Sequence, residues 1–414
     1  MAKKISIFFS IFIISILVVS HTNFCSASSL GYLWSNANNK TITASSNITE
    51  EYTNDTSNPL NLDCESAILI EQNTGKVLYS YNVHEKLRPA SVTKIMSILL
   101  IMEAINEGKI NYDTKIPCSE NAASMGGSQI WLDTTETLTV EEMLKAICVV
   151  SANDCVTAMA EYLGGTEDGF VKMMNEKAKE LGMNDTEFKN CHGIDEDGHM
   201  TSSYDISLMS KELLTKYPKI TKYTTIWNDS LREGKSELVN TNKLVRNYNG
   251  CTGLKTGSTS QALFNLSASA TRDGLSLIAV VMKAPTSAKR FKCASSLLDF
   301  GFTNFEYKNL ISKDDIIKNV KVEKGVITEI NAIAEKDCGT LITKGNDFNI
   351  EQSIELPDII KAPIKKGDVI GKIKYSYNGE IVGECDLTAS DDVAKMNIIS
   401  MEQYVLDRWF TLLR

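Results

Sequence analysis

Hydrophobic positions fall into three successive patterns along the chain. The first is one apolar run over 5–19, behind Lys3 and Lys4 and ahead of the small residues Ser26-Ala27-Ser28. A basic start, an apolar stretch shorter than the roughly 20 residues of a spanning helix, and a small-residue exit predict a secretory signal peptide over 1–28. The stretch 29–61 is rich in Asn, Ser and Thr, has little to bury, and predicts a flexible linker.

The second pattern, over 62–305, mixes helical and strand periods. Runs at 67–70 and 77–81 flank Asn73-Thr74-Gly75-Lys76 and predict a β-hairpin. After Ser91, the residues Val92, Ile95, Met96, Ile98, Leu99, Leu100, Met102 and Ile105 leave almost no polar side, which predicts a buried helix. The stretch 122–137 reads as a surface loop. Thr139 and Glu142 form a capping box for a helix to about Val150. Ser151-Ala152-Asn153-Asp154 interrupts it, and a helix over 155–163 closes at Gly164-Gly165. Further helices are predicted at 170–181 and from Ser203 to near Lys216. Strands follow at 253–259, 264–270 and 275–282, the last two joined by the tight turn Arg272-Asp273-Gly274. A helix over 287–300 completes an α/β domain with strands at both ends of its sequence and helices between.

The third pattern begins near Asn304. Short strands at 316–322, 326–333, 340–342, 350–356, 369–377 and 381–387, with an Asn378-Gly379 hairpin turn, predict a small all-β sandwich over 306–392. The tail, 393–414, carries Tyr404, Val405, Trp409, Phe410, Leu412 and Leu413 among Glu402, Asp407, Arg408 and Arg414. That mixture predicts an amphipathic helix on a membrane surface, with packing on the protein itself as the alternative.

Composition changes this picture little. The chain has 414 residues, 43% of them hydrophobic, which suits two domains with appendages. A net charge of −9 without long charged runs argues against a nucleic-acid binder. Beyond Cys25, nine scattered cysteines remain, an odd number without C-x-x-C spacing. They read as mostly free thiols, packing as small hydrophobes.

Chemistry concentrates in three short motifs. Ser91 and Lys94 lie one turn apart, so both side chains share a face. A serine there is a candidate nucleophile, and a lysine deprived of solvent is a candidate general base. Ser151-Ala152-Asn153 and Lys255-Thr256-Gly257 follow in order. Lys255 supplies a second cation, which depresses the pKa of Lys94 and offers charge to a carboxylate. Ser151 is a proton relay to the leaving group, and Asn153 a donor to the substrate amide. Thr256 and Ser258 offer hydroxyls, and Gly257 lets a backbone approach without a Cβ in the way. The N–H groups of Ser91 and Ser258 are candidates for an oxyanion hole. Arg290 is a further candidate for sensing a carboxylate, while His192, in the turn Asn190-Cys191-His192-Gly193-Ile194-Asp195, reads first as structural. The histidines make no metal pattern, and no cofactor is expected.

Together these motifs form the signature shared by penicillin-binding proteins and class A β-lactamases. The chain resembles the serine-type D-alanyl-D-alanine carboxypeptidases, the low-molecular-mass penicillin-binding proteins. Leu87-Arg88-Pro89-Ala90-Ser91-Val92-Thr93-Lys94, Val150-Ser151-Ala152-Asn153-Asp154, His192-Gly193-Ile194-Asp195 and Asn249-Gly250-Cys251-Thr252-Gly253-Leu254-Lys255-Thr256-Gly257 carry the likeness. It implies a transpeptidase-like domain with an antiparallel sheet flanked by helices. It also implies removal of terminal D-Ala from peptidoglycan stem pentapeptides through an acyl-enzyme, acylation by β-lactams, and a place on the outer face of the cytoplasmic membrane. Ser-Ala-Asn stands where Ser-Gly-Asn is frequent, and Ser258 where some relatives have histidine. A β-lactamase would add Glu-x-x-x-Asn, of which Glu187-Phe188-Lys189-Asn190 is one residue short. A penicillin sensor would need a signalling membrane segment, and none is read after residue 20. An endopeptidase acting on crosslinks is the nearest enzymatic alternative.

Overall fold

The computed structural model describes residues 57–345, 349–398 and 401–402. The signal segment 1–28, the linker up to residue 56 and the tail beyond Glu402 lie outside the described residues. Within them, β1 (Ser66–Glu71) and β2 (Val77–Tyr81) form the expected hairpin. They join three strands from much later in the chain, β3 (Cys251–Thr259), β4 (Leu263–Arg272) and β5 (Leu275–Ala284). The sheet runs β2-β1-β5-β4-β3 and is antiparallel throughout. Pairing of β1 with β5 closes the domain by stitching its two ends together.

Both faces of this sheet are covered, which is why β1 is apolar at nearly every position instead of alternating. Successive strand residues point to opposite faces. Leu277, Ala279 and Val281 of β5 pack with Leu266 and with Phe291, Ala294 and Leu297 of one helix, α6 (Ser287–Asn304). Ile278, Val280 and Met282 face the other layer. That layer contains α1 (Lys94–Asn106), α2 (Val140–Val149), α3 (Asn153–Gly164), α4 (Glu167–Glu180) and α5 (Ser203–Lys216). The α1 run is buried from Lys94 through Met102, as its unbroken apolar pattern requires.

Local chemistry sets the helix starts. Thr139 Oγ1 accepts from Glu142 N (3.2 Å) and Glu142 Oε2 accepts from Thr139 N (2.8 Å), the expected capping box. Helix α4 begins earlier than its apolar spacing predicts. Thr166 caps it by accepting from Gly169 N, and Glu167 and Asp168 suit the positive end of the helix dipole. A short helix, Glu120–Ala123, capped by Ser119, runs into the start of the predicted loop over 122–137.

The C-terminal part is all β. The pair β6 (Phe305–Ile311) and β9 (Cys338–Thr343) forms one sheet. The other contains β7 (Ile316–Glu323), β8 (Glu329–Ala334), β10 (Glu351–Glu355), β11 (Ile359–Lys361), β12 (Val369–Tyr377) and β13 (Glu380–Ala389), in the order β10-β12-β13-β8-β7-β11. Asn378 and Gly379, both at positive φ (52° and 83°), turn β12 into β13. Val320, Ala332, Ile373, Cys385 and Leu387 form its core. Ladder contacts continue past the predicted boundary at 392: Val393 pairs with Ile364 and Lys395 with Gly325. All nine cysteines among the described residues are free thiols. No described helix is long and apolar enough to cross a membrane.

Candidate active site

Ser91 does not sit in the first turn of an α-helix, as its sequence suggests. It lies in a 3₁₀ turn, Ala90–Thr93, that feeds α1. A 3₁₀ turn has three residues per revolution, so positions i and i+3 eclipse. Lys94 therefore stands directly over Ser91, with Nζ 3.0 Å from Ser91 Oγ. Two more contacts fix this amine: Asn153 Oδ1 at 2.6 Å and the backbone carbonyl of His192 at 2.6 Å. Lys94 is fully buried. Burial first, and then the charge of Lys255, hold its pKa well below the ordinary lysine value. A neutral amine has two N–H donors and one lone pair. The amide oxygen of Asn153 and the carbonyl of His192 can only accept, so they take both hydrogens. In that neutral form the lone pair is left for the Ser91 hydroxyl, the orientation a general base needs; as the ammonium, Nζ donates to Ser91 Oγ instead.

Asn153 is locked from both ends. Its Nδ2 donates to Gly126 O and its backbone N to Ser128 O, each at 2.7 Å. Between α2 and α3, Ser151 adopts the left-handed φ of +67° that lets the chain reverse. Its Oγ is buried and has no hydrogen-bond partner among the described residues. An unpaired buried hydroxyl costs stability, and strain with such a deficit concentrates at functional sites.

Strand β3 is the sheet edge, and its central residues face the Ser91 turn. A Cβ on Gly257 would stand 2.8 Å from Pro89 O, 2.9 Å from Val92 N and 3.0 Å from Ser91 N. Only glycine allows that approach. Lys255 is buried, and its Nζ donates to Thr256 O at 3.0 Å. Burial pushes its pKa down to about 7, and the Arg290 guanidinium adds to the effect. Thr256 Oγ1 meets Thr241 Oγ1 at 2.6 Å, while Ser258 is exposed. Arg290 reaches in from α6 and donates to Gly257 O (3.0 Å) and Asn265 O (3.2 Å), so it braces β3 from behind. Burial lowers its pKa to about 10, which leaves it charged.

The structure brings Ser91, Lys94 and Asn153 into direct contact, with the Lys255-Thr256-Gly257 strand against the same turn. Sequence reasoning missed three supports. Asn265, buried in β4, donates from Nδ2 to Arg88 O (2.8 Å) and Pro89 O (3.0 Å) and bolts the Ser91 turn to the sheet. Its only sequence signal is an asparagine between Phe264 and Leu266. Gly193, at φ +91°, packs against Ala90 O where a Cβ would come to 1.9 Å. His192 contributes its backbone carbonyl, not its ring. The ring is buried, its Nε2 lies 3.4 Å from Glu167, and burial followed by the Lys94 charge lowers its pKa to about 3. It is neutral and structural near pH 7. Glu187 is exposed and ion-paired with Lys189, and Asn190 holds the 190–194 turn by accepting from Gly193 N. Neither supplies a deacylating carboxylate of the β-lactamase kind.

A serine hydroxyl 3.0 Å from the amine of a buried lysine, beside an open sheet edge with a second lysine, fits a serine acyl-transfer enzyme of the penicillin-binding class. The chain belongs to the D-alanyl-D-alanine carboxypeptidase family, which matches residues 52–286, and the penicillin-binding protein 5 C-terminal domain matches 305–395. It is 44% identical over 351 residues to D-alanyl-D-alanine carboxypeptidase DacF of Bacillus subtilis, covering 84% of this chain and 90% of that one. Among solved structures it is similar to penicillin-binding protein 5 from Haemophilus influenzae, with a TM-score of 0.65, 29% identity, and coverage of 82% of this chain and 100% of that one. Penicillin-binding protein D2 from Listeria monocytogenes, solved in an ampicillin-bound form, aligns with a TM-score of 0.54 and 30% identity over 59% of this chain and 99% of that one. The protein is a D-alanyl-D-alanine carboxypeptidase, a cell-wall hydrolase of the penicillin-binding class.

Proposed function

We propose that the D-alanyl-D-alanine carboxypeptidase reaction runs through Ser91 as nucleophile and Lys94 as base. The observation that carries this is the three-way hold on Lys94 Nζ, which leaves its lone pair for Ser91 Oγ at 3.0 Å. Lys94 takes the hydroxyl proton as Oγ attacks the carbonyl carbon of the penultimate D-Ala. The oxyanion forms against the N–H groups of Ser91 and Ser258. Ser151 Oγ, free of protein partners among the described residues, relays a proton to the leaving amine. Lys255, Thr256 and Ser258 receive the terminal carboxylate, Asn153 donates to the acyl-side amide, and Gly257 gives the substrate backbone room. After D-Ala departs, Lys94 activates water to hydrolyse the ester. A β-lactam enters the same path by ring opening, and the opened ring stays as the acyl group.

Incubation with a pentapeptide ending in D-Ala-D-Ala and with crosslinked muropeptide dimers tests the preference. Free D-Ala from the first supports the carboxypeptidase reading; cleavage of the second alone makes the enzyme an endopeptidase. The division into a catalytic part (62–305), a β part and a tail belongs to the same proposal, as does attachment to the outer face of the cytoplasmic membrane through the tail. The aromatic residues and arginines at 404–414 support attachment, since such residues favour the membrane interface and anionic headgroups. Truncation after Asn397 keeps the Val393–Ile364 pairing and should move the protein to the soluble fraction with penicillin binding intact. A truncated protein that stays on membranes refutes the tail as anchor.

A further inference from the structure

Two thiols meet where the start of the catalytic domain runs past α6, and the mechanism uses neither. Cys64 lies in the segment that enters β1, and Cys293 lies on α6; both belong to the apolar cluster between the sheet and that helix. Cys64 is half-buried and Cys293 buried, and both are free thiols in this structure. The neighbours of Cys64 hold it in register with the helix. On one side, Asp63 is ion-paired with Lys289. Lys289 sits one helical turn before Cys293, so the two share a face of α6. On the other side, Glu65 N donates to Met282 O (3.1 Å), and the Glu65 carboxylate pairs with Lys283 (2.8 Å). Cys64 therefore stands between two anchored residues, one of them fixed to the turn of α6 that leads into Cys293. The thiols are hydrogen-bonded to each other, with Cys64 donating to Cys293. That bond, ahead of every other influence, brings the Cys293 pKa down to about 7 and raises that of Cys64.

A cell-wall hydrolase works outside the cytosol, where adjacent thiols persist as disulfides. We propose that Cys64 and Cys293 are a disulfide site, a redox-dependent staple that ties the entry of β1 to α6. The oxidant is a second disulfide, carried by a small molecule or by another protein. The sulfur of Cys64, the more exposed of the two, gives up its proton and attacks the external disulfide. One thiolate leaves, and a mixed disulfide forms on Cys64. Cys293, deprotonated in turn, attacks the Cys64 sulfur and expels the second thiolate. The two protein thiols lose two electrons and two protons, and the external disulfide takes both to become two thiols. The new bond joins the two ends of the domain's sequence and closes a loop of about 230 residues, so it restricts the unfolded chain strongly. The staple is built outside the Lys94 centre, and its expected effect is on stability.

The probe is oxidised glutathione, with reduced glutathione as the control buffer. The protein is refolded from urea in each, so that access to the half-buried pair is no obstacle, and the fraction that labels with penicillin is taken. Alkylation of the remaining thiols and peptide mapping without reductant read the linkage, and a thermal melt reads its effect. In the oxidised buffer the peptide containing Cys64 should be joined to the peptide containing Cys293. The Tm should stand about 4–16 °C above that of the reduced protein and fall back on addition of dithiothreitol. Cys64→Ser and Cys293→Ser should each lose the link and the difference in Tm between the two buffers. That difference is read within each variant, so a variant that is less stable in itself still reports on the staple. Cys64 and Cys293 left unlinked, carrying glutathione alone or joined to other cysteines would overturn the proposal. So would equal Tm values in the two buffers for wild type, or a difference that persists in both serine variants.

Discussion

Replacing Gly257 by alanine puts one methyl group between β3 and the Ser91 turn. Its contacts would be 2.8 Å to Pro89 O, 2.9 Å to Val92 N and 3.0 Å to Ser91 N, all backbone atoms. A carbon needs roughly 3.5 Å from such neighbours, so strand and turn must part by about 0.6 Å. Neither side yields easily: Asn265 bolts the turn to β4, and Arg290 holds Gly257 O from behind. Overpacking of this kind costs about 1–3 kcal/mol. For a domain of this size that lowers Tm by roughly 2–12 °C. Catalysis should suffer more, because a displacement of about 1 Å in a reacting group costs about 100-fold. Interpolation gives about a 10- to 20-fold slower acylation. Fluorescent-penicillin labelling followed in time, with a thermal melt on the same samples, measures both. A folded Gly257→Ala protein that acylates at the wild-type rate would refute the close approach of β3 as a catalytic requirement.

Asn265→Leu should strip Arg88 O and Lys283 N of the partners Asn265 supplies, at about 1–3 kcal/mol each, and slow acylation with the loss of the bolt; wild-type acylation in the folded variant would remove that role. Stability should fall on acidification. The pKa values of His192 and His199 are lowered by burial to about 3 and about 4, so below the unfolded value near 6.5 the unfolded chain takes up protons that the folded one refuses. Each contributes stability that is complete above pH 6.5 and is lost at about 1.4 kcal/mol per pH unit below it. Asp205, raised by burial to about 6, works the other way between about 6 and 3.8 and offsets one of the two. The urea midpoint should therefore drop between pH 6.5 and 4.5 and drop less in His199→Asn; a midpoint that rises in wild type contradicts the assignment.

What the sequence disclosed follows from what is local. Ser91 and Lys94 share a turn, Thr139 and Glu142 cap their own helix, and Asp273-Gly274 and Asn378-Gly379 join adjacent strands. Their partners lie within a few residues, so spacing reveals them. The supports of the site are not local. Lys94 is held by the carbonyl of His192, 98 residues away, and Asn265 binds the Arg88 carbonyl across 177 residues. Backbone acceptors leave no mark on side-chain pattern. The 3₁₀ turn that eclipses Ser91 and Lys94 is closely packed by Gly193 and Gly257, both far from it in the chain. Short pairs such as Lys115–Pro117 with Thr137–Thr139 have too few residues to display a period. Strand β6 escaped notice because it leaves α6 without an intervening turn, at Phe305.

The central claim is that Ser91 Oγ, deprotonated by Lys94, is the atom that becomes acylated. Intact-mass spectrometry with peptide mapping, after incubation with benzylpenicillin, measures it directly on wild type, Ser91→Ala and Lys94→Ala. The account predicts one penicilloyl adduct on the wild-type peptide that contains Ser91. It predicts none on folded Ser91→Ala, and formation slowed by roughly 10²–10⁴-fold in Lys94→Ala. An adduct on Ser91→Ala, or a wild-type adduct on a peptide lacking Ser91, would contradict it.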